Sequence, residues 1–244
     1  MSKSLKNRQL SRTKIELYLD CPRCFHAEVA LGLPRVSSLP FTLNNAVDHL
    51  FKAEFDLYRA ARQPHPLFTR VNLDAVPYSH EEFDAWRTNS QGVRWTDPQT
   101  GRTLQGAVDD LWENGDGGLH VADYKATSKA GDVTAAGLHA SYRRQAEVYQ
   151  FLVRRQNLVV SDTAWFVYAN GIKTADRFDN CLTFNTVLVP YIGNDGWVLE
   201  TFRDAVKVAS SPESPAPRPG CAWCEFVSKR RNLTSGTYSD PVVA

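Results

Sequence analysis

Nowhere in its 244 residues does this chain hold an apolar run near the roughly 18 residues that a membrane-spanning helix needs. A secretory leader is missing as well, because Met1 to Leu10 is polar and basic. The expectation is a soluble, cytoplasmic protein with no membrane partner. An excess of one charge is also absent: 28 Lys and Arg stand against 27 Asp and Glu, for a net charge of +1. A surface that is basic all over is thereby excluded. Any face for a polyanion has to be local, at spots such as Arg143-Arg144, Arg154-Arg155 or Lys229-Arg230-Arg231, and such runs are most often plain solvated faces. No internal repeat is visible. Cysteine is scarce, at five residues, and in a reducing compartment metal binding explains it better than disulfides do.

The length suits one domain, since chains up to about 250 residues can share a single core. Ser11 can cap a short helix that runs to Asp20. Pro34 to Pro40 reads as a loop. From Thr42 to Arg62, Leu43, Val47, Leu50, Phe51 and Tyr58 recur at helical spacing and predict an amphipathic helix, which Pro64 and Pro66 end. A short helix within Pro77 to Asn89, a strand near Val93-Trp95 and a turn from Asp97 to Gly101 come next. A second long helix spans His139 to Gln156. Strands at Thr163-Tyr168 and Leu182-Val189 and a helix near Trp197-Ala209 follow. Ser210 to Gly220, with four prolines, reads as a tether. This order predicts an α/β fold, a central mixed β-sheet flanked by helices.

The chemistry concentrates between Gly106 and Lys125. Asn114-Gly115-Asp116-Gly117-Gly118 separates two segments rich in Val, Leu and Trp, which is a hairpin signal. Folding back there brings Asp109 opposite Asp123, or one residue off. Opposed Cβ atoms on paired strands lie about 4.5–5.5 Å apart, close enough for two carboxylates to share a cation. Asp123 and Lys125 are two apart on an extended segment and so point to one face. Two carboxylates and a lysine at one point suit a hard divalent metal acting on a phosphodiester. A D-x-K triplet alone is usually a solvated strand end, but Asp123 closes the apolar run Leu119, Val121, Ala122. Gly106 removes a side chain where something must approach closely. Asp110 alternates to the other face and reads as an ordinary polar strand residue.

The Gly-x-x-Asp, then Asp-x-Lys order resembles the PD-(D/E)xK nuclease superfamily in its RecB-like branch, which includes CRISPR-associated spacer-acquisition nucleases and AddB-type nuclease domains. Gln145-Ala146-Glu147-Val148-Tyr149 is similar to that branch's Gln-x-x-x-Tyr motif. Ser11 to Phe25, with Cys21-Pro22 and Phe25, is similar to its N-terminal Ser-…-Cys-Pro-x-x-Phe segment. The resemblance spans roughly Ser11 to Phe226. It implies a restriction-endonuclease-like core and a metal-dependent deoxyribonuclease working in DNA repair, recombination or processing. Its partners would be single- or double-stranded DNA ends and a helicase or repair complex.

The resemblance also implies roles. Asp109, Asp123, a residue of the first long helix and the backbone carbonyl of Tyr124 would hold Mg²⁺ or Mn²⁺, with Lys125 as the catalytic cation. The branch carries a histidine on that helix; here the position falls on Asp48, and His49 is one place late. The two side chains point about 100° apart, so only one can be the ligand. Asp48 is the assignment made here, with His49 as its substitute. Gln145 and Tyr149, four apart on one helical face, would orient the attacking water or the lysine and contact or brace the phosphate site. A non-catalytic nucleic-acid-binding module with a structural metal cluster is the alternative.

Cys21-Pro22-Arg23-Cys24 and Cys221-Ala222-Trp223-Cys224 form two C-x-x-C pairs, a strong metal-ligand pattern. Cys181 stands apart and reads as a small buried apolar residue. Four thiolates suit Zn²⁺ or an iron–sulfur cluster. The resemblance implies a [4Fe–4S] cluster, slightly favoured over zinc, although Glu225 to Asn232 lacks the further cysteine of the family pattern and Cys24 has to supply the fourth ligand. On this reading the chain is a single nuclease domain over residues 1–244, in which residues 11–33 and 210–232 form a cysteine-ligated subdomain that staples the two ends.

Overall fold

The computed structural model describes residues 9–36 and 41–234, so the expected loop from Pro34 to Pro40 lies partly outside the described residues. The elements are β1 (Gln9–Ser11), α1 (Arg12–Asp20), α2 (Pro22–Val29), α3 (Thr42–Ala61), α4 (Pro66–Thr69), β2 (Ala75–Pro77), α5 (Phe83–Trp86), β3 (Val93–Thr96), β4 (Thr103–Gly106), β5 (Asp110–Asn114), β6 (Leu119–Thr127), α6 (Ala140–Arg154), β7 (Thr163–Gly171), β8 (Phe184–Ile192), α7 (Val198–Ser210) and α8 (Ala222–Thr234). They divide into two compact units. One comprises Leu39–Asp97 and Thr103–Val198, and the other gathers the two ends of the chain with Pro98–Arg102. No helix among the described residues is long and apolar enough to cross a membrane.

The larger unit is built on a five-stranded sheet in the order β2-β5-β6-β7-β8. The β5–β6 hairpin is antiparallel, as its Asn- and Gly-rich turn requires, and β6 runs parallel to β7 with α6 as the crossover between them. The sheet is therefore mixed and helix-flanked, as the sequence predicts. On one face Trp112, Ala122, Tyr124, Trp165 and Val167 form a core with Phe55 of α3 and with Leu67 and Phe68 of α4. The Phe55 ring is sandwiched, 4.0 Å from the buried His65 ring and 5.5 Å from the Trp112 ring, parallel to both within 6°. Helix α6 packs on β3, β4 and β6. Its approach depends on Gly106, where an added Cβ would lie 2.8 Å from the Tyr149 ring.

Helix α3 covers the predicted span and stops at Arg62, which adopts a left-handed conformation (φ 52°). Its inward face matches the expected one in part: Val47, Phe51 and Tyr58 are half-buried. Phe55 is its buried residue, whereas Leu43 and Leu50 are exposed. The aromatic stack against Trp112 and His65 fixes the rotation of the helix. The Leu43–Leu50 stripe then lies roughly 140° around from the face of Asp48, Lys52 and Phe55.

Asp110 overturns its reading as an ordinary polar residue. It does face away from Asp109, but it is completely buried. Its carboxylate accepts from the Leu111 N–H at 2.8 Å, Trp112 Nε1 at 3.2 Å and the Tyr124 hydroxyl at 2.6 Å, and it pairs with Arg59 Nη2 at 2.5 Å. Arg59 also donates to the Tyr78 carbonyl and lies 4.1 Å over the Phe83 ring. The network continues through Asp56 to Arg87. A buried carboxylate is tolerated only when its lone pairs are satisfied, and here they are.

The smaller unit holds α1, α2, α8 and nearly all of α7. Ser11 caps α1 by accepting from the Lys14 N–H, as predicted. Cys21 is extended (φ −161°) and is both the last cap of α1 and the first of α2, whose first residue is Pro22. Residues 222–234, beyond the proline-rich tether, are helical, an element that the sequence reading left unassigned.

Removing the Asp110 carboxylate takes from the nearly buried Arg59 one of its two carboxylate partners and deprives three further donors of their acceptor. Asp110→Ala should destabilise the protein by about 3–5 kcal/mol, the usual loss when one partner of a buried pair is deleted. Urea unfolding of the variant beside the parent measures this, and equal midpoints would contradict the structural role given to Asp110.

Candidate functional site

The β5–β6 register ends at Asp110↔Ala122, so Asp109 stands one step further on, level with Asp123. The hairpin that sequence alone suggests is therefore formed, and the two aspartates come level where the β5–β6 pairing ends. Asp109 is partly open, and its Oδ2 accepts from the Tyr124 N–H at 3.0 Å, which pins its rotamer. Asp123 is 1 % exposed and forms an ion pair with Lys125, its neighbour two places along the same face. Burial works against the Lys125 charge, but Asp123 and Asp109 outweigh it and hold its pKa above the ordinary lysine value. Lys125 is therefore a fixed positive charge at neutral pH. Its Nζ lies 3.5 Å from the Tyr124 carbonyl and 4.7 Å from the centre of the Tyr142 ring.

From α3, Asp48 faces the same site while His49 is exposed. Asp48 and Asp109 are joined by a residue that the sequence reading did not single out. Lys52 Nζ lies 2.8 Å from Asp48 Oδ2 and 3.2 Å from Asp109 Oδ1. Burial opposes the charge of Lys52 too, yet Asp109 and Asp48 raise its pKa above the usual value. Its place one helical turn after Asp48 was a visible signal, because residues four apart share a face.

Helix α6 closes the other side. Gln145 and Tyr149 are both buried, and Gln145 Nε2 donates to the Tyr149 hydroxyl at 3.1 Å, so the predicted pair does share one face. Tyr142, one turn earlier on that face, and Tyr168, opposite Lys125 on β7, also border the site and were missed. Helical spacing from Gln145 pointed to the first. Pairing of β7 with β6, which a single sequence does not specify, was needed for the second. Burial, reinforced by Tyr142, pushes the Tyr168 phenol up to about 12, so it stays a hydrogen-bond donor.

Around this point Asp48, Asp109 and Asp123 outnumber Lys52 and Lys125, leaving one negative charge in excess. Hard carboxylate oxygens beside a backbone carbonyl are the donor set that Mg²⁺ or Mn²⁺ prefers, so the residues fit such an ion.

The smaller unit carries a second cluster of different chemistry. The Sγ atoms of Cys21, Cys24, Cys221 and Cys224 all lie within 4.8 Å of one another. Three of the separations are 3.5–3.7 Å. Each C-x-x-C pair occupies the start of a helix: Cys21 caps α2 and Cys24 is in its first turn, while the Cys221 carbonyl accepts the first helical bond of α8, from the Glu225 N–H. Helix N-termini favour thiolates, which supplies a reason for the repeated placement. Burial disfavours the Cys21 thiolate, but hydrogen bonds from the backbone of Arg218 and Cys24 prevail and lower its pKa to about 6. Burial raises Cys24. Arg35 Nη2 donates to Cys221 Sγ at 3.5 Å while its Nη1 pairs with Asp20 at 2.5 Å. The four cysteines can hold a metal. Cys181 lies outside the group and is exposed, against the expectation of a buried position, because it sits in a turn before β8 rather than on a strand.

Comparison with known proteins adds the following. The solved structure titled "Crystal structure of SSO0001" aligns over 85% of this chain and 79% of that one, at 12% identity and a TM-score of 0.37, a likeness too low to carry an argument. No curated protein matches the chain. The family model of the PD-(D/E)XK nuclease superfamily, whose members are generally hydrolases that use divalent metals, matches residues 9–228. That match covers most of the chain, and this protein belongs to the PD-(D/E)XK nuclease superfamily.

Proposed function

We propose that the protein is a divalent-metal-dependent deoxyribonuclease of the RecB-like branch, a single nuclease domain acting on DNA ends in repair, recombination or processing alongside a helicase or repair complex. The observation that carries this reading is the register of the β5–β6 hairpin, which sets Asp109 level with Asp123 and leaves Lys125 on the same face. Asp109, Asp123, Asp48 and the Tyr124 carbonyl would hold the ion, Mg²⁺ or Mn²⁺. When bound, such an ion acts as a Lewis acid and lowers the pKa of its water.

The chain's own groups do the rest. Lys125 keeps its proton and offers fixed positive charge to the phosphate oxygens as negative charge builds on them. Gln145 spends an amide N–H on Tyr149, which leaves Oε1 to accept a hydrogen bond from the attacking water and so to aim it. Tyr149 is wedged against Gly106 and braces that amide. Tyr142 keeps the Lys125 ammonium from swinging away, by a cation–π contact.

For the cysteine site, Cys21, Cys24, Cys221 and Cys224 support zinc over the [4Fe–4S] cluster toward which the resemblance leans. A tetrahedron built on Zn–S bonds of about 2.3 Å has edges of about 3.8 Å, close to the 3.5–3.7 Å separations here. A cube of irons and sulfides has to fit between its thiolates and needs them further apart. The proposed role is a staple that makes residues 11–33 and 210–232 one subdomain.

Three outcomes test these assignments. Purified protein should cut DNA only with Mg²⁺ or Mn²⁺ present, and Asp123→Ala and the isosteric Asp123→Asn should both abolish cutting while circular dichroism stays unchanged. Either variant cutting at the parent's rate would remove Asp123 from the chemistry. Lys125→Ala should lower turnover by roughly 10²–10³-fold, the scale for losing one charge-stabilising group, with much less effect on Mn²⁺ affinity by calorimetry; a collapse of affinity with turnover intact would make Lys125 structural. Protein prepared without oxygen should be colourless and hold one zinc, and Cys221→Ser should lose both the zinc and several degrees of thermal stability. A brown protein containing iron would decide for the cluster.

A further inference from the structure

Lys52 gives the site a feature that three carboxylates and one catalytic lysine do not require. Its ammonium sits between Asp48 Oδ2 and Asp109 Oδ1, at 2.8 and 3.2 Å, on the two carboxylates that would have to turn to a metal ion. The arrangement is built rather than casual. Asp48 and Lys52 are one turn apart on α3, and that helix is locked in rotation by the Phe55 stack. Asp109 is locked in turn by the Tyr124 N–H on its other oxygen. All three side chains are partly exposed, and Lys52 is the one on a flexible four-carbon stem that can carry its charge away from the other two. Of the three groups it is the one able to leave.

We propose that Lys52 is an internal counter-cation that competes with the divalent ion for Asp48 and Asp109, and that it swings out when the ion binds. This rests on the metal-dependent nuclease reading and adds a device to it. In its place between them, the lysine holds together two carboxylates that would otherwise repel. Because a metal must displace it, binding is weaker than the carboxylate count alone would give. Cleavage then switches on only at a raised metal concentration.

The test uses the full-length protein and Mn²⁺ as the probe, with calorimetry on the parent, Lys52→Gln and Lys52→Arg. Lys52→Gln removes the competitor and should bind Mn²⁺ at least about tenfold more tightly, given the strength of charge interactions at this separation. Lys52→Arg keeps a cation there and should stay weak, which a purely structural role of the side chain would not produce. Displacement is read separately, by acylating surface amines with a neutral reactive ester and measuring Lys52 by mass spectrometry. Saturating Mn²⁺ should raise its labelling several-fold in the parent, and in Asp123→Asn the same Mn²⁺ concentration should raise it less.

Equal Mn²⁺ affinity in the parent and Lys52→Gln, or Lys52 labelling that does not rise with Mn²⁺, would overturn the proposal. Metal-dependent cutting that still needs Asp123 would in that case leave the nuclease reading standing. If neither protein binds Mn²⁺ nor cuts DNA, both fall together.

Discussion

The buried carboxylate of Asp110 is the constraint on which the larger unit turns. It takes donors from its own strand, from the Tyr124 hydroxyl of β6 and from Arg59 of α3, so one side chain ties three elements. A slip of one residue between β5 and β6 would turn Asp110 to the other face and break its bonds to Tyr124 and Arg59. Holding that register is the same act as setting Asp109 level with Asp123. The next residue along thus does the structural work, and the candidate catalytic residue is left free to face the site. The burial of Tyr124 follows from the same arrangement. Its phenol needs the Asp110 carboxylate, and its backbone N–H is then in place for Asp109.

Adjacent aspartates of one type thereby acquire opposite roles through environment. Asp110 is closed off and fully bonded, which makes it inert. Asp109 has one oxygen fixed and one shared with a lysine, and it stays partly open. Asp123 is buried yet faces Lys125, so its charge is balanced by a group that also points toward the site. The excess of carboxylate over ammonium at this point is small. A large excess would cost stability in a half-buried pocket, and no excess would leave little reason for a cation to come. The two lysines offset the repulsion among the crowded carboxylates.

Much of this was legible from residues alone, where local chemistry dictates the answer. The Asn- and Gly-rich turn gave the hairpin and so the Asp109–Asp123 pairing. The i, i+2 rule gave Lys125, i, i+4 gave the Gln145–Tyr149 contact, and the C-x-x-C spacing gave the thiolate cluster. Failures came where tertiary contacts decide. The apolar stripe of α3 is right at Val47, Phe51 and Tyr58 and wrong at Leu43 and Leu50, because stacking between Phe55, His65 and Trp112, which come from distant segments, turns the helix toward Phe55. Asp110 looked dispensable because its partner Arg59 is 51 positions away. Tyr168 could not be placed because parallel pairing of β6 with β7 carries no short-range signal. Helix α8 is exposed over most of its length and carries no apolar stripe that would mark it.

The two clusters differ in the kind of metal that each would take under the readings proposed above. Carboxylates and a carbonyl are hard ligands for which magnesium and manganese compete well, while four thiolates are soft and favour zinc strongly. Affinity for most sites rises toward copper and zinc along the first-row series, so a carboxylate site left open at high affinity would itself be at risk of capture by zinc. On the proposal made for Lys52, its ammonium between Asp48 and Asp109 would weaken the carboxylate site for every cation alike. A cellular metal present at millimolar levels can still fill it, whereas one present in trace is excluded by mass action. At the thiolate cluster the neighbouring cation is Arg35, which donates to Cys221 Sγ and offsets thiolate charge. On the readings proposed above, ligand type would set which metal each cluster prefers, and a lysine shared by two of the carboxylates would set how firmly the hard site holds its ion.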